Sequence, residues 1–585
     1  MVYIALMKNT KLIFLALLVG LGFGCRPGLP SHLLRDAEGG KRLGGTFRLN
    51  MLRGSPNGLD PVRISSKLAD DIALNIFDRL ITFDSTLGVI GELARTWDIS
   101  PDGRTYTFHL RTDVRFHDDV CFSNAQGRLM KASDVAYSFG RACDPRTNTV
   151  SFWAFQNRVV GAVRYFDACK AGTSSLRGWP DGISVLDDST FSIQLEAPFA
   201  PFLLTLANGF GCVVPHEAVE HYGENFNRHP VGTGPFRFDH WEEDRSMILV
   251  RNPKYWQRDA TGNQLPLLDT VFISFIKDDN VQFLSFQQGD LDECFTIPTE
   301  IFPSIINRSL TDGSVRMHEK FSQYQLQATP AWCTWFVDFL CTQKPFRDDR
   351  VRRAFALSID RHRIVRYVLA NAPAAPAEGG ITPPVLPSYQ TKSIVGLGFD
   401  PARARAELAA AGYQDGKGLE GLVLTIYPEP RLKQCAEALQ EMWQEHLNVD
   451  VRIEIVQFAQ FLSMAEEGKF LMWGTRWYGD YPDAETFLTL FNGDLLPRDP
   501  NAASYPNSSR INDSLATSLI RLGVNEPRVE KRHAYYAEAE ARLAHMAPSA
   551  LLFYEMHYRL LQPYVRGYPL DPMARIVLKH MWFAW

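Results

Sequence analysis

The sequence predicts an α/β protein built from two or three lobes. The chain has 585 residues, well beyond the roughly 100–200 of a single domain, so each lobe can bury a core of its own. Strand-like and helix-like stretches alternate along it, which is the pattern of an α/β architecture. Hydrophobic residues make up 45%, as expected of a folded globular chain rather than a disordered one. No internal repeat is visible.

The amino terminus reads as an address. Lys8 and Lys11 precede a charge-free apolar run over residues 12–23. That run is shorter than the about 20 residues a membrane span needs, but it suits the core of a signal peptide. Met7 followed by Lys8 offers an alternative start. The run ends in Leu21-Gly22-Phe23-Gly24-Cys25, which resembles a lipoprotein cleavage site with Leu21 one place further back than usual. Residues 1–25 are therefore expected to be a leader with Cys25 lipidated; the alternative is an ordinary signal peptide cut nearby. Residues 26–44, polar and Gly-rich, read as a tether.

Order is expected from Thr46, where residues 46–49 alternate as a strand. Residues 106–111 form a second strand, led in by the turn Pro101-Asp102-Gly103. Ser133 is placed to cap a helix carrying Val135 and Phe139. Val351, Ala354, Phe355, Ile364, Val365 and Val368 recur at helical spacing. Residues 370–387, rich in Ala, Pro and Gly, read as a long ordered loop. Asp400 and Pro401 open a short helix that Gly412 closes. A helix over 436–447 leads into a period-two strand over 449–455.

Charge and motifs exclude several functions. With 61 basic and 66 acidic residues and a formal net charge of −5, there is no electrostatic footprint for nucleic acid. His216 and His221 are five apart, so they do not share the helix face that a zinc-protease motif requires. His117, Asp118, Asp119 and Cys121 read as a charged loop after a strand. The glycines of 230–235 run into a strand and include Pro235, so they lack the helix amino end of a phosphate cradle. Gly396 and Gly398 lack a third glycine. No GxSxG elbow occurs. The cysteines other than Cys25 are widely and irregularly spaced with no CxxC, so neither zinc nor a particular disulfide pairing is indicated. No cofactor is expected. The 12 Trp and 20 Tyr suit a large core and an aromatic-lined cleft alike.

Several segments in one order carry a resemblance. They are Leu59-Asp60-Pro61; residues 75–80 (NIFDRL); 92–97 (ELARTW); 102–111 (DGRTYTFHLR); 114–118 (VRFHD); and 132–135 (ASDV). The most specific pair is 230–235 (PVGTGP) with 251–256 (RNPKYW). Then come 289–292 (GDLD), 345–354 (PFRDDRVRRA), Asp360-Arg361, and 400–413. Together these resemble the family 5 extracellular solute-binding proteins, which include the oligopeptide- and dipeptide-binding proteins of ABC importers. Departures are the longer stretch 121–129, the strand segment before Pro345 that often carries an Asn and here reads Phe336-Val337-Asp338-Phe339, and Ser65 near a place that is acidic in some members.

The resemblance implies a bilobal periplasmic-binding-protein fold, type II and cluster C-like, with an extra domain. Lobe I would comprise 45–80, 209–300 and 551–585, the extra domain 81–208, and lobe II 301–550. The lobes would hinge shut on ligand. It implies a non-enzymatic protein of the periplasm or cell surface, monomeric and held to the membrane by a lipid anchor. This protein would capture short peptides for the permease subunits of an ABC importer. Alternatives are a nickel complex, haem or a sugar in the same fold, a secreted peptidase, or a signalling receptor.

For the site, the resemblance points to residues 476–483. Asp480 takes the place that receives a peptide's amino terminus. There an α-ammonium of pKa about 7.7–8.0 meets a carboxylate. A turn-forming role before Pro482 is the structural alternative. Gly479 would leave room for backbone approach, Trp477 and Tyr478 would wall the cleft, and Arg476 would meet a ligand carboxylate or orient Asp480. Ser65 completes the expected set.

Overall fold

The computed structural model describes residues 34–51, 54–175, 177–309 and 312–585. The leader and Cys25 lie outside the described residues. Labelled in chain order, the elements that position the site begin with β1 (Thr46–Asn50) and α1 (Lys67–Ile76). Next come β2 (Ala94–Ile99), β3 (Thr105–Leu110), α2 (Ala132–Ala142), β4 (Ile183–Asp187) and β5 (Thr190–Gln194). Then follow β6 (Phe236–Glu242), β7 (Ser246–Arg251), β8 (Thr270–Ser274) and β9 (Glu293–Cys294). The second half holds β10 (Gln325–Phe339), α3 (Asp349–Leu357), β11 (Leu422–Ile426), α4 (Pro430–Leu447) and β12 (Val451–Ile455). It closes with β13 (Met472–Tyr478), α5 (Val529–Met546) and β14 (Ser549–Leu561).

Three sheets organise these strands. One has the order β6-β7-β8-β1, with β8 and β1 parallel. A second, antiparallel, has the order β2-β3-β5-β4. Both contribute to one continuous core that runs from Phe47 and Ile72 through Phe108, Phe139 and Phe191 to Met247 and Val271. The third sheet has the order β9-β14-β10-β13-β11-β12, and the short strand Ala375–Pro376 adds to β14. Its core is separate and built on Trp335, Phe339, Phe355, Leu424 and Trp443. This is the bilobal type II binding-protein fold.

β10 and β14 tie the halves together. They pair antiparallel from Gln325 and Leu561 at one end to Asp338 and Ser549 at the other, and Leu561 also pairs with Glu293 of β9. Fifteen residues of strand span about 50 Å, enough to reach from one core to the other. Their register shifts between Pro330 and Thr334 and again between Trp335 and Phe336. Such bulges bend a strand and sharpen its twist.

Local chemistry explains the element ends. Asp348 accepts the Arg350 N–H at the start of α3, and Asp400 accepts that of Arg403 at the start of the helix Pro401–Ala410. Gly412 follows that helix at φ +92, as the sequence predicts. α4 begins earlier than the expected 436, because Pro430 suits a first turn, and it ends on Asn448 in the left-handed region. Ser133 does not cap α2. Asp134 does so, its carboxylate accepting the Lys131 N–H at 2.8 Å. The described part of the expected tether is also ordered. Arg35–Asp36 pairs with Arg42–Leu43, and Arg35 and Lys41 reach Asp269 (3.0 Å) and Asp259 (2.7 Å). Among the described residues no helix is long and apolar enough to cross a membrane.

Candidate functional site

The motifs that carry the resemblance fold into buried polar knots. The Asp78 carboxylate accepts hydrogen bonds from the Tyr255 hydroxyl, the Trp256 Nε1–H and the Thr233 hydroxyl, each at 3.0 Å. Burial, with the nearby charge of Glu92, raises its pKa to about 6. A Cβ on Gly232 would stand 2.2 Å from the Ile76 carbonyl oxygen, and one on Gly234 2.5 Å from the Ile76 carbonyl carbon, so both must lack side chains. Buried His117 is wedged alongside, Nε2 3.0 Å from the Gly234 oxygen and Nδ1 accepting the Gly232 N–H at 3.3 Å. Asp60 clasps Arg141 at 2.9 and 2.7 Å. These residues tie the segments flanking α1 to β6 and α2, and Asp60, Asp78, His117 and Arg141 among them are buried.

Residues 476–485 lie where the two cores meet. Tyr481 packs into the first core although it follows a strand of the third sheet. Asp480 is open to water. Protein nevertheless surrounds it closely enough that lost solvation, then the charges of Glu485 and Asp70, push its pKa up to about 7. Asp70 belongs to α1 and is ion-paired with Arg79 at 2.7 Å. Asp480's backbone N–H donates to the Thr486 hydroxyl at 3.0 Å. Among the described residues its carboxylate has neither an ion-pair nor a hydrogen-bond partner. The turn-forming work falls to Asp483, which accepts the Glu485 N–H at 3.0 Å and pairs with Arg532 at 2.9 Å.

The other expected site residues divide. Tyr478 is 41% exposed and lies parallel to the His557 ring, 6.2 Å between centroids. Trp477 is half-buried on the opposite face of β13, 6.5 Å from the ring of Tyr505, and among the described residues its buried Nε1 has no hydrogen-bond partner. The room at Gly479 is used within the protein, since a Cβ there would lie 2.1 Å from the Trp332 Nε1. Arg476 makes no contact with Asp480. Its guanidinium stands over Trp335 (4.6 Å) and 3.5 Å from Glu429. Ser65 is exposed, just before Ser66, whose hydroxyl accepts the Ala69 N–H to start α1. Sequence reasoning missed Asp70, Glu485 and Tyr505. The last is 60% exposed, and its hydroxyl is raised in pKa by lost solvation and then by Asp480.

The arrangement is that of a two-lobed binding protein with an unneutralised carboxylate between its lobes. The model for bacterial extracellular solute-binding proteins, family 5 middle, matches residues 88–495, and the chain belongs to this family. It is similar to the dipeptide-binding protein of Escherichia coli (strain K12), 26% identical over 538 residues covering 89% of this chain and 92% of the relative. It is as similar to the probable deoxycholate-binding periplasmic protein of the same strain, 26% over 543 residues with 92% and 93% covered. Among solved structures, the fold matches the periplasmic binding protein DppA from Helicobacter pylori in complex with the peptide STSA. The TM-score is 0.75 at 22% identity, covering 93% of this chain and 98% of that one.

Proposed function

We propose that this protein captures short peptides between its lobes, receives their amino terminus at Asp480, and delivers them to the permease of an ABC importer. The observation that carries the reading is the unpartnered Asp480 carboxylate in a water-accessible but closely walled space. Such a group calls for a cation, and an α-ammonium supplies a charge-assisted hydrogen bond as well as charge. Main-chain hydrogen bonds to an extended ligand would add affinity without selecting side chains. The peptide-binding relatives and the family support the reading; the deoxycholate-binding relative makes a steroid acid the rival within the same fold.

We also infer a periplasmic site of action, in keeping with the periplasmic relatives, with Cys25 as the lipid-bearing residue and the chain acting as a monomer. The lobe boundaries set out above follow the same reading. The direct test is calorimetry on protein stripped of bound solute, with a mixed peptide pool, deoxycholate, a nickel salt and an oligosaccharide. Peptide binding that weakens tenfold or more in Asp480→Ala supports the proposal. Peptide binding indifferent to that change, or binding of the other solutes alone, overturns it.

A further inference from the structure

Arg158 is a cation that the packing leaves unused. It follows the short helix Phe152–Ala154. Its guanidinium stacks 4.1 Å over the buried ring of Phe199, with the ring of Trp153 at 5.8 Å. Stacking of this kind engages the face of the guanidinium and leaves its N–H edges for other partners. Among the described residues those edges donate no hydrogen bond and meet no carboxylate within ion-pair distance, and Nη1 is buried without a partner. Glu485 acts on Arg158 only at longer range, and its carboxylate accepts the Tyr481 hydroxyl instead. Other arginines nearby differ, since Arg79 is held by Asp70 at 2.7 Å and Arg431 by Glu555 at 2.9 and 3.1 Å. A buried donor left without an acceptor is costly, and a free guanidinium edge fits a carboxylate with two parallel hydrogen bonds.

Two lines of contact bring Arg158 to the space of Asp480. Through the rings, Trp153 stands edge-on to Phe210 at 5.8 Å. Next to Phe210, a Cβ on Gly209 would lie 2.9 Å from the Asp70 Oδ1, and Asp70 is one of the charges that act on Asp480. From the other side, the hydroxyl of Tyr481, which follows Asp480 in the chain, feels the charges of both Arg158 and Asp480.

Resting on the reading of Asp480 as an amine receptor, we propose that Arg158 is the anion receptor of the same cleft, taking a carboxylate of the peptide whose amino terminus meets Asp480. Binding there evicts no protein carboxylate, because none lies on the guanidinium. Trp153, 43% exposed, offers an apolar face beside it for the ligand's aliphatic part. Two stations of opposite sign fix the direction and register of an extended ligand, which main-chain hydrogen bonds alone do not. The carboxylate comes from the peptide's own terminus or from an acidic side chain, and the chemistry at Arg158 is the same for both.

The test uses the full chain freed of bound solute, as the parent and as Arg158→Gln and Arg158→Lys. The probes are trialanine, its C-terminal amide, its N-acetyl derivative, and the C-terminal amide of alanyl-glutamyl-alanine. Dissociation constants are measured by calorimetry at pH 7.5, with melting curves to show that each variant is folded. The parent is expected to bind trialanine or the glutamyl amide at least tenfold more tightly than trialanine amide. The first preference assigns the terminal carboxylate to Arg158, the second a side-chain carboxylate. Arg158→Gln should reduce the preference to within threefold while changing affinity for trialanine amide less than threefold, a ratio that a merely structural role would not move. Arg158→Lys keeps the charge without the two-pronged edge and should lower the preference at least threefold, which carries the test if the Gln variant does not fold. No such preference in the parent, or one that survives in the variants, overturns this inference; with the N-acetyl form at least tenfold weaker than trialanine, it leaves the Asp480 reading standing. An N-acetyl form as tight as trialanine overturns the Asp480 reading and the pairing of the two charges with it. Failure of all the peptides to bind does the same.

Discussion

Asp480 at the end of β13 and Asp70 on α1 come from opposite lobes, and the charge of the second raises the pKa of the first. Nothing in the immediate chain would bring them together. The fold does so by laying residues 480–485 against the lobe that carries α1.

The consequence for binding is a pH limb. In the ligand-free protein Asp480 has a pKa of about 7 rather than the ordinary 3.8, so below that pH it is protonated and presents no charge. Affinity for an amine-bearing peptide is expected to fall as pH drops from 7.5 to 5.5, by up to about tenfold per unit once below 7. It should also fall above about 8, where the α-ammonium itself loses its proton. Asp480→Asn should weaken binding at pH 7.5 by about tenfold or more, a loss of about 1.4 kcal/mol, and abolish the acid limb. For stability the sign is the reverse. A carboxyl whose folded pKa is raised favours the fold when protonated, so its contribution is present below pH 4 and lost as pH rises through 7. Calorimetric titrations at several pH values, with melting curves of the empty protein, check both. A flat affinity from pH 5.5 to 7.5 would remove Asp480 from the ligand.

The Asp78 knot predicts a purely structural phenotype. Asp78→Ala leaves three donors without their acceptor, those on Tyr255 and Thr233 buried and that on Trp256 half-buried. The expected loss is about 3–5 kcal/mol of unfolding free energy. It is read from urea denaturation, with peptide affinity of the folded fraction unchanged. A loss under about 1 kcal/mol would mean that the donors find other partners.

These two residues show what was legible in the sequence. The motif around Asp78 can be read from order and spacing alone, since Gly232 and Gly234 are fixed by close approach to Ile76 at the end of α1 and the aromatic pair at 255 and 256 by hydrogen bonds to Asp78. Asp480 was legible as a residue type at a place. Its neighbours were not, because Asp70, Glu485 and Tyr505 approach it only through the meeting of two lobes. Arg476 was read as a possible ligand group for the same reason. Its capture by Glu429 depends on where β11 ends and α4 begins, which no local pattern specifies. Ser133 lost the cap to Asp134 because a carboxylate one place further on reaches the Lys131 N–H.

The long loop after α3 should depend on one glutamate. Glu540 of α5 is buried and accepts the Thr382 N–H at 2.6 Å and the hydroxyl of Tyr389. A Cβ on Gly380 would stand 2.1 Å from its Oε1, so the loop is drawn tightly onto the carboxylate. Glu540→Ala is expected to cost about 2–4 kcal/mol and to speed amide hydrogen exchange across residues 378–396 well before β10 or β14 is affected. Glu540→Gln, which keeps an acceptor for one of the two donors, should cost less. Uniform exchange across the whole lobe would show that the loop has no independent pin.

The cysteines yield the last expectation. All eight from Cys121 to Cys435 are free thiols, seven of them buried. Burial pushes up the pKa of Cys212, Cys341 and Cys435 to about 12, and that of Cys121 rises further under burial and the adjoining Asp119. The thiolate is the reactive form, so thiols held protonated in apolar surroundings are poor nucleophiles. An aromatic disulfide reagent at pH 8 should therefore label less than about one of these thiols per native chain within an hour. In urea it should label all eight. Fast labelling of the folded protein at any of them, or fewer than eight reactive thiols after unfolding without reductant, would show that the thiols are either more exposed than this packing allows or joined in disulfides.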